Sequence, residues 1–194
     1  DATSATSHTV NLPATIVNGD TIFVAVRCTV PGAIGWPDAT WNELKDESAD
    51  AADDQNACAW KKANGSEGGT TITVTTGSGK LAGIAFAIAN AKDPALRAPE
   101  INTAATGSAT EPNAGTVTPT GGAKDYLWLT FFGMEGEQTG ITSYPANYTL
   151  GQTGLANTGT TGAVTTNCTM AGAARTNNAA SLSTIIQGDH TVFL

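Results

Sequence analysis

Two histidines, His8 and His190, are the only imidazoles in the chain, and they lie near its opposite ends. A hydrolase triad would need one of them beside a nucleophile and an acid. Thr9 and Thr191 follow them directly, but adjacent residues on a strand point to opposite faces. No G-x-S-x-G turn, H-E-x-x-H pair, Walker-A loop or G-x-G-x-x-G element is present. Both histidines therefore read as ordinary strand-end residues. The expectation is a protein with no catalytic residues and no cofactor.

Three cysteines, Cys28, Cys58 and Cys168, stand far apart, with no C-x-x-C pair among them. That spacing argues against a structural zinc site. Two readings stay open: three small buried apolar residues, or one disulfide plus a free thiol suited to an oxidising assembly.

Residues 43–54 hold six carboxylates, Glu43, Asp46, Glu47, Asp50, Asp53 and Asp54, against one lysine, Lys45. Calcium needs several oxygens converging on one point. The EF-hand spacing is absent and no glycine sits at the required turn, so the segment reads as a solvated acidic loop rather than a calcium site. A glycosidase pair could be drawn from any two of these groups, which gives that reading almost no specificity.

The aromatic residues are more informative. Trp36 lies in a Pro/Gly loop with Trp41 just beyond it, and Tyr144 and Tyr148 flank Pro145 in another loop. Exposed Trp and Tyr offer flat apolar faces with a polar edge, suited to sugar rings or protein partners. The competing reading is that they cap the ends of a core. Trp60 and Trp128 have strand contexts and read as core. Asn64-Gly-Ser66, Asn147-Tyr-Thr149 and Asn167-Cys-Thr169 match the N-glycosylation pattern, as chance allows in a chain so rich in Asn and Thr.

These residues need a frame to hold them, and the sequence predicts strands. The 194 residues include 32 Thr, 32 Ala and 22 Gly, with only 13% charged. Thr suits pleated, half-buried surfaces, and Gly suits turns. In Thr21 to Val30, Ile22, Val24, Val26, Cys28 and Val30 share one face, while Thr21, Phe23, Ala25, Arg27 and Thr29 share the other. Val17-Asn-Gly-Asp20 before it is a turn signal. Thr9–Leu12, Trp41–Glu47, Asn56–Ala63 and Thr70–Thr76 also read as strands, the last two as a hairpin with a long connection. Leu81–Ala91 carries both periodicities, but flanking Gly77, Gly79 and Pro94 favour a strand buried on both faces. Asp125–Gly133 is a strong strand, and Asn147–Leu150, Ala163–Ala171 and Asp189–Leu194 are weaker ones. Residues 97–124 form a long Pro/Thr/Gly-rich connection, read either as a boundary between two halves or as cover for an irregular edge strand at Gly115–Thr120.

The fold class expected is all-β: one antiparallel, jelly-roll-like β-sandwich of about eight to ten strands over residues 1–194. A net charge of −8 with nine scattered Lys and Arg offers no basic patch for nucleic acid or an anionic membrane. The longest apolar run, Leu81 to Ala89, is too short for a membrane span of about 18 residues.

Several stretches together resemble a β-sandwich module of tailed-bacteriophage and prophage structural proteins. Ser7-His-Thr-Val-Asn-Leu-Pro13 and Ile16-Val-Asn-Gly-Asp-Thr-Ile-Phe-Val24 look like its first strands. Ala59-Trp-Lys-Lys-Ala-Asn-Gly-Ser-Glu-Gly-Gly-Thr-Thr-Ile-Thr-Val74 looks like its central hairpin. Asp125-Tyr-Leu-Trp-Leu129 and Tyr144-Pro-Ala-Asn-Tyr-Thr149 resemble a later strand and loop. The resemblance covers most of residues 7–175, and the tail beyond Ser181 departs from it. It implies a non-enzymatic protein at the virion surface, in capsid decoration or in a tail fibre or appendage. The implied partners are other virion subunits, including copies of itself as a homo-oligomer such as a trimer, and cell-surface glycan. A secreted carbohydrate-binding module is the alternative, with Trp36, Trp41, Tyr144 or Tyr148 as the sugar-stacking residues.

Overall fold

A computed structural model of the chain describes residues 1–48, 54–91, 98–102, 113–136, 148, 155–158, 166–179, 182–185 and 191–193. The described residues form antiparallel sheets. In chain order the strands are β1 (Ala5–Asn11), β2 (Thr21–Cys28), β3 (Asn42–Glu47), β4 (Gln55–Lys62), β5 (Thr71–Gly79) and β6 (Leu81–Ile88). There follow β7 (Asn113–Val117), β8 (Lys124–Glu135), β9 (Leu155–Asn157), β10 (Cys168–Ala179), β11 (Leu182–Ile185) and β12 (Thr191–Phe193). One four-stranded sheet has the order β3-β4-β2-β6, and a second has β12-β8-β10-β9. Two-stranded pairs β1-β5 and β7-β11 complete the set. The order of strands in the sheets is not their order in the chain, so they do not run as a simple meander.

The alternation in β2 explains how the layers stack. All eight of its residues are buried. Ile22, Val24, Val26 and Cys28 enter one core with Val10 and Val74 of the β1-β5 pair. Phe23 and Ala25 enter a second core with Phe131, Cys168 and Met170 of the other four-stranded sheet. The β3-β4-β2-β6 sheet is therefore a middle layer, covered on both faces. Phe23 and Phe131 stack across the second interface, with centroids 5.0 Å apart and planes 4° apart. Each such fully buried Val, Ile or Phe contributes about 1.5–3 kcal/mol.

Glycines mark the places where the layers come closest. A Cβ on Gly83 of β6 would lie 2.8 Å from a Val10 methyl, and one on Gly172 of β10 would lie 2.8 Å from Ile84 Cδ1. The Val17–Asp20 turn forms as its sequence predicts. Gly19 has φ +94°, Asp20 N–H donates to Val17 O at 3.1 Å, and the Asp20 carboxylate accepts from Val17 N–H at 2.9 Å.

One pairing departs from the sequence reading. β4 and β5 do not form a hairpin: β4 lies between β3 and β2, whereas β5 pairs with β1 in another layer. Leu12 and Ile16 are buried with the first core, so the segment after β1 anchors this layer and leaves β1 free to take β5. Residues 97–124 contain β7 and the start of β8, with residues 103–112 outside the described set. The expected edge strand at Gly115–Thr120 is found slightly earlier, at Asn113–Val117. β9 and β11 were not expected from the sequence. Of the expected strand Asn147–Leu150, only Tyr148 is described, and it lies outside any strand.

Candidate functional site

Among the described residues, the imidazole and the thiols lie inside the protein. His8 is 1% exposed, with Nε2 3.0 Å from Ala5 O and 3.1 Å from Thr76 Oγ1. Burial holds its pKa below the ordinary value, against the opposing effect of the Ala5 carbonyl. His190 lies outside the described residues. Cys28, Cys58 and Cys168 are all buried and free, which settles the open question in favour of small core residues. Burial pushes the Cys168 thiol up to about 11 and the Cys58 thiol further still, the reverse of an activated nucleophile. The Cys168 Sγ sits 3.2 Å from the Arg27 carbonyl oxygen.

The acidic segment is more structured than a solvated loop. Glu43, Asp46 and Glu47 are on β3, and Asp50 and Asp53 are outside the described residues. Asp46 accepts from Ile34 N–H at 2.9 Å and also bonds the Gln55 amide. Glu47 pairs with Lys45. Asp54, 3% exposed, pairs with the equally buried Arg27. Among the described residues, no three His, Cys, Asp or Glu converge as metal ligands.

The four aromatic candidates separate. Trp36 and Trp41 come together; Tyr148 does not join them, and Tyr144 lies outside the described residues. Tyr148 is 4% exposed, with the Arg175 guanidinium 5.8 Å from its ring centroid. Its phenol is pushed up to about 12 by burial. A ring so enclosed offers no open stacking face. Asn167, one of the glycosylation matches, is also buried, and its side-chain oxygen accepts from Lys80 Nζ at 2.8 Å. Trp60 and Trp128 are buried, as their strand contexts predicted.

Trp36 is held by three local devices. The loop before it docks on β5 through two backbone bonds, Gly35 N–H to Thr75 O at 2.8 Å and Thr75 N–H to Gly35 O at 2.9 Å. Glycine leaves room for this approach: a Cβ there would lie 2.2 Å from Thr75 Oγ1, so the Thr75 hydroxyl would have to turn away. The Trp36 indole then stacks on Trp41, with centroids 5.9 Å apart and planes at 18°, and donates Nε1–H to Glu43 Oε2 at 3.0 Å. Trp41 is itself nearly buried, with its N–H bonded to Asp38 O at 3.2 Å in a tight turn. The Thr40 hydroxyl and N–H hold the Asp38 carboxyl below its ordinary pKa.

Both indoles line an open groove of about 520 Å³. Along one wall runs β5, with Thr71, Thr73 and Thr75 exposed on one face and Val74 buried on the other. The Lys61–Glu67 ion pair, 3.2 Å apart, also lines the groove. Glu67 is pinned by N–H donors from Asn64 at 3.1 Å and Gly65 at 3.0 Å. Burial alone would raise its pKa, but these donors and Lys61 outweigh it and hold the group below the ordinary carboxylate value. Sequence reading found Trp36 and Trp41 but missed Lys61, Glu67 and the three threonines. The i, i+2, i+4 threonine spacing in Thr71–Thr75 is the available signal, and by itself it marks only a strand.

A second cleft of about 340 Å³ lies between the layers, lined by Phe23, Leu44, Ile101, Tyr126 and Trp128 among others. Its walls are largely apolar. The polar Glu100 on its border is already bonded to Thr120, at 2.8 Å to both the N–H and the hydroxyl.

The chain is an all-β protein of antiparallel sheets in a sandwich, with an aromatic and hydroxyl-lined groove on its outermost ribbon. No protein-family model, curated protein or solved structure matches it.

Proposed function

We propose that this chain is a non-enzymatic structural module of the surface of a tailed-phage virion, in capsid decoration or in a tail fibre or appendage, that touches host-surface saccharide. It acts by shape: a layered body packs against neighbouring subunits and carries a contact groove outward. The observation that carries this reading is the division of side chains. Among the described residues, the His8 imidazole, the thiols and the Arg27–Asp54 pair are locked in the interior, while the groove combines indole faces, threonine hydroxyls, the Asp38 carboxylate and one ion pair. Such a lining is suited to binding a ligand with both apolar and hydroxyl surfaces. The phage assignment itself rests on the sequence resemblance over residues 7–175.

Antibody labelling of particles in negative-stain images tests the location. Decoration of capsid or tail is expected, and label confined to uninfected cell walls would remove the assignment. Light scattering on the purified chain tests the implied homo-oligomer, for which a trimer is expected. The second reading is a secreted carbohydrate-binding module, which the Trp36–Trp41 groove favours equally. Saccharide binding by a chain that never associates with particles would select it.

A further inference from the structure

We infer that the groove along β5 takes an uncharged saccharide chain, stacked on the indoles of Trp36 and Trp41 and hydrogen-bonded by Thr71, Thr73, Thr75 and the Lys61–Glu67 pair. This deepens the reading above and depends on its saccharide clause, not on its phage clause.

Three properties of the groove select this ligand. Size comes first: about 520 Å³ falls within the roughly 300–1,000 Å³ of small-molecule sites. The Thr71–Thr75 span of an extended strand is about 13 Å long, room for more than one sugar ring. Second is the mix of surfaces. A sugar has an apolar C–H face and a rim of hydroxyls, and the groove answers both. The indoles supply a flat platform. The threonines each supply a hydroxyl that donates and accepts. The carboxylate of Glu67 and ammonium of Lys61 add one strong acceptor and one strong donor, held in place by the Asn64 and Gly65 N–H bonds.

Charge is the third property. Asp38 and Glu67 line the groove against Lys61 alone, and Glu43 sits beside it on Trp36. The chain as a whole carries −8. Uronic or sialic acids would enter a field of their own sign, with Lys61, the cation of the groove among the described residues, already paired at 3.2 Å. Neutral hexose or N-acetylhexosamine chains meet no such penalty.

The platform is preorganised. Gly35 docks the loop, Trp41 backs Trp36, and Glu43 fixes the indole edge. Little side-chain freedom remains to be lost on binding. Glu43 is thus a positioning residue, acting through Trp36.

The test is calorimetric titration of the full chain with cellotetraose, chitotetraose and xylotetraose, and separately with tetragalacturonic acid. At least one neutral tetrasaccharide should bind, and the anionic one should bind more than about tenfold weaker. Trp36→Ala should weaken neutral binding at least about tenfold, a difference of about 1.4 kcal/mol. Because Trp36 also packs on the core, Thr73→Val serves as the second variant: it keeps the shape, removes one hydroxyl and should weaken binding severalfold. Glu43→Gln, which can still accept the indole hydrogen bond, should bind as wild type, whereas Glu43→Ala should not. Preference for tetragalacturonic acid, or binding unchanged in both Trp36→Ala and Thr73→Val, would overturn the inference. No binding of any of the four would remove the saccharide reading altogether and leave particle labelling as an independent question.

Discussion

The buried ion pair between Arg27 and Asp54 gives a quantitative test of the layered fold. Their side chains are 3% and 4% exposed, and Arg27 also reaches Asn56 Oδ1 at 3.5 Å. They lie where the two four-stranded sheets meet: a Cβ on Gly133 of β8 would sit 2.8 Å from Arg27 Cδ and 2.0 Å from Asn56 Oδ1. Asp54→Ala would leave the guanidinium buried without its counter-charge. Breaking such a pair costs about 3–5 kcal/mol, against a total stability of about 5–15 kcal/mol for a typical domain. With a urea slope of about 2 kcal/mol/M, the midpoint should fall by about 2 M. The double variant Arg27→Met/Asp54→Leu removes both charges and keeps apolar volume. It should cost at least about 2 kcal/mol less than the sum of its single variants. Urea titration followed by tryptophan fluorescence reads the wild type, Asp54→Ala, the double variant and its two single variants. A midpoint shift below about 0.5 M for Asp54→Ala, or strict additivity in the double variant, would refute the placement of this pair between the sheets.

Further outcomes follow from the same packing. Gly133→Ala should destabilise the fold by about 1–3 kcal/mol through overpacking, read as a lowered urea midpoint; a neutral result would mean that β8 stands further from β4 than the structure places it. A thiol reagent should label none of Cys28, Cys58 and Cys168 in the native protein and all three in denaturant without reductant; fewer than three would indicate a disulfide. His8 has a folded pKa below its ordinary 6.5, so the unfolded chain binds its proton more tightly. Its contribution is complete above about pH 6.5 and lost as the pH falls through that value toward the folded one, and His8→Gln should flatten that part of the stability profile. Glu67, held below its ordinary 4.5, behaves likewise in a more acidic window: its contribution is complete above about pH 4.5 and lost below, and Glu67→Gln should remove that slope. Melting temperatures across pH 3–8 check both.

The Trp36–Trp41 element of the candidate site was legible because it is local. The two indoles are five positions apart in the chain, and a Pro/Gly loop joins to β3 there, so a contact between them needs only a short turn. The other wall of the groove was not legible. Lys61 and Glu67 belong to the end of β4 and the loop after it, and Thr71–Thr75 to β5. Read as a hairpin, these segments had no reason to approach residue 36. What brings them there is the Gly35–Thr75 bridge, a contact across 40 residues.

The sequence by itself determined that the chain is β-rich and where its clearest strands run. Side-chain alternation with a period of two, as in β2 and β8, is a property of each strand alone and needs no knowledge of its neighbours. The tertiary structure alone decided which strands pair and that both faces of β2 are covered. Backbone hydrogen bonds are the same for any partner, so a strand does not name its neighbour. Arg27 shows the consequence: its burial follows from Asp54 and from a sheet contributed by residues a hundred positions further along the chain, and nothing in its own segment announces either.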